Sequence, residues 1–274
     1  MGAHGSDRRS ARREQLTAAT PNTPSDGGRG ANPETVLYGR RRGPRLRPSR
    51  QRLLHTLLPG LSIALPEDAR LTHPLSYFPA NARTDLWIEI GFGGGEHLAA
   101  QAAVHGDVAI IGCEPFVNGI ARLLATIDEA GLANIRLFPD DGRALIAALP
   151  AGSVGRLFVL FPDPWPKSRH HKRRLITAPV LDQFARVLKD DGELRFATDH
   201  RGYCQWTLAR LLPHPDFRWL AHTAGGWRER PDDWPETRYE RKARDAGRSS
   251  VYLRFRRRAR IATQNLEARA DSRI

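Results

Sequence analysis

Leu86-Trp87-Ile88-Glu89-Ile90-Gly91-Phe92-Gly93-Gly94-Gly95-Glu96 decides the fold. An apolar run of strand length ends in a cluster of glycines, and residues 95–105 follow with helical character. A strand that turns tightly into a helix is the opening unit of a parallel α/β sheet. The same alternation recurs outward from it. Strands are predicted at 86–92, 108–113, 135–138, 156–161 and 194–197, with a late one at 251–255. Helices are predicted at 95–105, 116–130, 143–149, 179–188 and 203–212. Ile120, Leu123, Leu124 and Ile127 form one stripe of the second helix. The expected class is therefore α/β, a mostly parallel twisted sheet with helices on both faces and an antiparallel last strand.

Such sheets bind ligands beyond the C-terminal ends of their strands. Glu89 and Gly91 close the first strand, while Glu114, Asp141, Asp163 and Asp199 follow the next four. Five acids on one rim are hard to explain as fold maintenance. Glu89 to Gly95 supplies Glu-x-Gly-x-Gly-x-Gly, whose glycines let the backbone approach a ligand closely. A dinucleotide loop places a third glycine where this chain has Glu96, and a carboxylate there is awkward for a diphosphate. No Gly-Lys-Ser/Thr follows, which excludes a Walker loop. Glu114 is spaced to accept from ribose hydroxyls and Asp141 from an adenine amino group. An acidic pocket without a phosphate-binding cation favours S-adenosylmethionine, which carries a positive sulfonium and no phosphate.

The 274 residues fit one large domain or two small ones, and the formal net charge of +13 points to a polyanion, most simply nucleic acid. Residues 1–52 hold twelve arginines and no lysine against four carboxylates. Residues 1–35 lack apolar periodicity and read as a disordered Arg-rich arm. Residues 38–52 form a basic, Pro-broken stretch that orders against the core or RNA. A single domain is expected over 36–258 and a basic flexible tail over 259–274. Cys113 and Cys204 have no CxxC spacing, so neither a disulfide framework nor a zinc site is expected, and a cytoplasmic location fits. No apolar run approaches the ~20 residues of a membrane span, and no obligate protein partner is evident.

The second informative stretch is Phe161-Pro162-Asp163-Pro164-Trp165-Pro166-Lys167-Ser168-Arg169-His170-His171-Lys172-Arg173-Arg174. Its prolines forbid further ladder pairing, so the chain leaves the strand in a stiff turn. That turn presents a carboxylate, a flat ring and a cation, groups that suit a flipped-out base and its phosphates. Trp165 reads equally as a stacking platform or a local core plug. His170 and His171 lack a carboxylate or cysteine partner at metal-binding spacing, and no metal is expected.

Together the 89–96 loop, Gly112-Cys113-Glu114-Pro115, Phe161-Pro162-Asp163-Pro164-Trp165-Pro166-Lys167 and Thr198-Asp199, in this order, resemble the bacterial tRNA (guanine-N7-)-methyltransferase family. The resemblance runs from about Tyr38 to Phe255. It implies a Rossmann-like class I methyltransferase that uses S-adenosylmethionine to methylate guanine 46 in the tRNA variable loop. Carried over by motif, Glu89, Gly91, Gly93, Glu114, Asp141 and Asp163 line the cofactor pocket, and Asp163 is also the catalytic residue. Lys167 and Asp199 contact substrate, and Arg169, His170, His171, Lys172, Arg173 and Arg174 meet RNA. The family's Thr-Lys-Phe-Glu, spacer and Gly correspond to Thr237-Arg238-Tyr239-Glu240 and Gly247. The four residues 237–240 are assigned to substrate, with Arg238 and Tyr239 departing from the pattern. Two other readings stay open. Asp163-Pro164-Trp165 loosely resembles the motif of adenine-N6 methyltransferases, and a non-catalytic RNA-binding protein would share the fold.

Overall fold

Residues 37–68 and 70–260 are described by the computed structural model. The arm expected over 1–35 lies outside the described residues, as does the tail beyond residue 260. Seven strands build one sheet: β1 (Asp85–Ile90), β2 (Val108–Cys113), β3 (Ile135–Phe138), β4 (Val154–Leu160), β5 (Leu188–Thr198), β6 (Phe217–Trp219) and β7 (Val251–Arg257). Their order is β3-β2-β1-β4-β5-β7-β6. The first five run parallel, and β7 pairs antiparallel with both β5 and β6. This is the expected Rossmann-like class I architecture, with β6 an addition that three residues are too few to signal.

The helices are α1 (Pro48–Thr56), α2 (Leu58–Leu61), α3 (Glu96–Val104), α4 (Val117–Ala130), α5 (Gly142–Ala148), α6 (Ala178–Val187), α7 (Arg201–Leu211), α8 (Gly225–Arg228) and α9 (Arg238–Asp245). Both faces of the sheet are covered. One core gathers Leu181, Phe184, Tyr203, Phe196 and Phe255. The other gathers Leu98, Leu123, Leu124, Ile127, Trp87, Phe158 and Trp234. The central strands are buried almost throughout, as a doubly covered sheet requires. Among the described residues no helix is long and apolar enough to cross a membrane.

Three local readings change. Pro48 does not break the 38–52 stretch; it opens α1 at a position where a missing N–H costs nothing. β5 begins at Leu188 rather than 194, because the turn-like Lys189-Asp190-Asp191-Gly192 is carried within the strand. Asp191 adopts φ +63, and the register with β4 shifts between Val154 and Arg156. Helix α9 falls where the sequence reading places no helix.

Candidate active site

The loop between β1 and α3 turns through Gly91, Gly93 and Gly95, at φ +74, +58 and +81, a region costly for residues with a Cβ. Glu114, just past β2, holds the loop in shape. Its Oε2 accepts from Gly93 N at 2.8 Å and its Oε1 from Phe116 N at 2.9 Å. Desolvation raises the Glu114 carboxyl above its usual range; the two N–H groups oppose this, and Asp163 and Glu89 add to it. A carboxylate has about four acceptor sites, so two remain for a ribose diol. α4 packs tightly beneath: a Cβ on Gly119 would lie 2.0 Å from the Gly93 carbonyl oxygen. Above Gly91 the space is open, and a Cβ placed there would meet nothing within 4 Å. The open cradle and the remaining Glu114 acceptors fit the adenosyl group of S-adenosylmethionine.

Glu89 is buried, and its Oε2 lies 2.7 Å from His97 Nδ1. His97 sits in α3 with its ring edge-on to Phe158 at 4.7 Å, and its buried Nε2 has no hydrogen-bond partner among the described residues. Sequence reasoning missed this histidine, although a histidine at the start of the glycine-loop helix is a visible signal. Glu89 thus clamps strand to helix instead of lying open on the rim. Asp141 caps α5: its Oδ1 accepts from Arg143 N at 3.0 Å, and Oδ2 from Arg143 Nε at 2.9 Å. Burial pushes the Cys113 thiol up, and the charges of Asp141, Glu114 and Glu89 add to the effect.

An N-terminal strap lies along the same rim. Arg41 pairs with Asp140 at 2.8 Å, and its carbonyl accepts from Val117 N at 2.9 Å. Gly43 N donates to Asn118 Oδ1 at 2.7 Å, and Asn118 Nδ2 donates to Pro44 O at 2.8 Å. Tyr38 meets the Trp165 ring edge-on at 6.3 Å.

Asp163 follows β4 within a strained turn. Phe161 and Trp165 flank it at φ +50 and +41, unusual for side-chain-bearing residues. Arg174 braces this turn. Its Nε donates to Pro164 O at 2.8 Å, and its guanidinium lies 5.0 Å from the Tyr203 ring centre and 4.9 Å from that of Trp206. Arg174 is 4% exposed. The expected RNA contact is corrected here: a cation run does not reveal that its last member folds inward to carbonyls. Arg173 packs over Tyr38 at 4.8 Å and Trp165 at 4.9 Å, which makes Trp165 part of a local cluster. His171 packs against Trp206 at 5.3 Å. Lys167, Arg169 and Lys172 are exposed, and His170 touches the Trp165 ring edge-on at 5.9 Å.

Asp163 itself is exposed, yet the atoms around it raise its carboxyl by desolvation. Among the described residues no protein group donates to it. The other four acids all have protein partners, since Arg248 Nε donates to Asp199 Oδ2 at 2.7 Å.

The 237–240 motif divides by face. Thr237 is the N-cap of α9, accepting from Glu240 N at 3.2 Å. Buried Glu240 accepts from the Tyr252 hydroxyl and pairs with Arg230 at 3.2 Å. Burial and this carboxylate raise the Tyr252 hydroxyl. Both residues therefore serve the fold. Gly247 at φ +68 ends the helix: Gly247 N donates to Arg244 O and Arg248 N to Ala243 O, each at 2.9 Å, a Schellman closure. The outward residues are Arg238 and Tyr239. A Cβ on Gly93 would lie 2.9 Å from Tyr239 Cε2, so this ring leans on the cofactor loop.

Similarity to known proteins agrees with this geometry. Residues 83–253 match the family described as "Putative methyltransferase". A tRNA (guanine-N(7)-)-methyltransferase of Rhodospirillum rubrum is 54% identical over 239 residues, spanning 86% of this chain and 93% of that protein. The protein of the same name from Paramagnetospirillum magneticum is 47% identical, spanning 86% of this chain and 98% of its own. That of a Chelativorans species is also 47% identical, spanning 80% and 94%. On the glycine cradle, the rim acids and this similarity across most of the chain, the protein belongs to the tRNA (guanine-N(7)-)-methyltransferase family.

Proposed function

We propose that the protein transfers the methyl group of S-adenosylmethionine to N7 of guanine 46 in the variable loop of tRNA, acting in the cytoplasm through a domain spanning 36–258. Asp163 carries this reading. Among the described residues it is the rim acid without a protein donor, and its charge is felt by Glu114 in the cofactor cradle. Glu114 takes the ribose diol, with Gly91 and Gly93 giving the backbone room and Glu89 holding the loop to α3. When bound, the cofactor supplies an electrophilic methyl on a sulfonium. Guanine N7 has an in-plane lone pair, so no residue needs to remove a proton before attack. The protein must bring the base out of its stack, align it and stabilise the positive charge it gains. Asp163 positions the base and meets that charge. Tyr239 walls the reacting centre against Gly93. Lys167, Arg169, His170 and Lys172 face the phosphates.

The test is incubation with methyl-labelled S-adenosylmethionine and tRNA lacking the modification, followed by nucleoside analysis. Label in 7-methylguanosine, lost when guanine 46 is replaced, is expected. Label in N6-methyladenosine would select an adenine methyltransferase, and no transfer would leave an RNA-binding protein.

A further inference from the structure

Glu89 lies in β1 and His97 in the first turn of α3, so their 2.7 Å contact ties together the two ends of the loop that carries Gly91, Gly93 and Gly95. Among the described residues His97 is the single hydrogen-bond partner of the Glu89 side chain. Glu114, by contrast, is held by two backbone N–H groups. The His97 ring also meets the ring of Trp234, 6.0 Å away and 1% exposed. Trp234 sits in the segment that leads into α9, and that segment is fastened on several sides. Gln101 of α3 donates to the Asp233 carbonyl at 2.7 Å, Arg195 of β5 pairs with the Asp233 carboxylate at 2.7 Å, and Arg230 donates to the Trp234 carbonyl at 3.0 Å. Trp234 meets Tyr252 edge-on at 5.4 Å, and the Tyr252 hydroxyl donates to Glu240 of α9. Contacts therefore run from Glu89 through His97, Trp234 and Tyr252 to the helix that bears Tyr239.

We propose that His97 is a positioning residue of the cofactor site: it fixes Glu89 across the glycine loop and is itself seated by Trp234, so the segment leading into α9 sets the affinity for S-adenosylmethionine from behind the loop. The inference rests on Glu89 belonging to the cofactor site, as proposed above, and is independent of which base is methylated.

A carboxylate only accepts, so Nδ1 carries the proton of this contact. Glu89 Oε1 bonds to no described residue, and one edge of the carboxylate remains for a cationic ligand. Glu89 is close enough for its charge to help raise the Glu114 carboxyl. A leucine would fill the space beside Phe158 and Trp234 without burying an unpaired ring nitrogen, which is costly. What histidine adds over leucine is the bond to Glu89.

The experiment measures S-adenosylmethionine binding to the full-length protein by calorimetry, with the cofactor KM and kcat taken from tRNA methylation. His97→Leu should raise Kd and KM together by roughly ten- to a hundredfold, as for a hydrogen bond to a charged group, with kcat at saturating cofactor within about threefold. His97→Asn, whose amide nitrogen takes the place of Nδ1, should recover most of the affinity. His97→Gln, whose amide nitrogen takes the place of Nε2, should not. Adding His97→Leu to Glu89→Gln should weaken binding no further, because one residue acts through the other. Trp234→Phe should weaken binding in the wild type and add nothing to His97→Leu. Circular dichroism and denaturation midpoints check folding, and if His97→Leu does not fold the Asn–Gln comparison decides. An Asn variant no better than Gln, or full additivity with Glu89→Gln, overturns the role of His97. Full additivity of Trp234→Phe with His97→Leu overturns the link through Trp234. Wild-type affinity in Glu89→Gln would instead remove Glu89 from the cofactor site, and with it the reading beneath the proposal.

Discussion

Asp163→Asn changes one acceptor oxygen into a donor at nearly constant size, at a carboxylate with no protein partner among the described residues to disturb. Loss of one preorganised charge at a reacting centre is worth about 10²–10³ in rate, so kcat should fall about a hundredfold. Binding of tRNA, carried by phosphates, should stay within about threefold. Single-turnover assays and binding isotherms separate the two, and near-wild-type turnover would discard Asp163. Glu114 faces the cofactor, and hydrogen bonds to a charged group contribute about 1.5–3 kcal/mol. Glu114→Ala should weaken S-adenosylmethionine binding by about that amount in calorimetry, with further loss if the Gly93 loop relaxes. His170 titrates below its usual 6.5 because of desolvation and then Arg173, Arg169, Lys167 and Lys172. A phosphate placed there would favour the imidazolium and raise its pKa. Binding then takes up a proton, so affinity for tRNA should rise as pH falls toward the free protein's His170 transition and level off below it. Imidazole NMR shifts with and without tRNA check the sign.

At the scale of single elements, α9 is the part of the site most open to a stability test. Thr237→Ala removes an N-cap, at a cost of about 1 kcal/mol, and Gly247→Ala forces a Cβ into a left-handed conformation that costs about 1–2 kcal/mol. Both should lower the midpoint of chemical denaturation. Because α9 carries Tyr239 onto Gly93, both should also loosen cofactor binding, which a purely local helix would not do. The helix is legible in principle, since Thr237-x-x-Glu240 is a capping signature and Gly247 a stop signal. It escapes a periodicity reading because Arg-Tyr-Glu-Arg-Lys-Ala-Arg-Asp shows almost no apolar stripe; its burial comes from Glu240 and Ala243. The central parallel strands are readable as continuous apolar runs of strand length, buried on both faces, and helices such as α4 and α6 by apolar residues at helical spacing. What escapes depends on contacts distant in sequence. His97 meets Glu89 across a turn, Arg174 folds back ten residues to Pro164, and Arg248 reaches Asp199 from the far end of α9. The acidic residues announce the site, but their partners do not.

Across the whole molecule the formal net charge is +13, and part of that excess lies on the strap beside the rim. Arg42, Arg45 and Arg47 are exposed on the strap and at the start of α1. Replacing all three with Gln should flatten log affinity against log salt by about two units, at about 0.7–0.9 per phosphate contact, and leave kcat at saturating tRNA intact. Removing residues 1–35 discards five arginines but also four carboxylates, so its salt slope should change less. Binding isotherms at several salt concentrations compare the two, and a larger effect of the truncation would move RNA capture to the arm. The strap has a different consequence. Arg40-Arg41-Arg42 lies between the contact of Tyr38 with Trp165 and those of Gly43 and Pro44 with Asn118. Trypsin can cut these bonds only when the segment lifts, so its nicking rate is a clock for opening of the rim, readable without label or substrate.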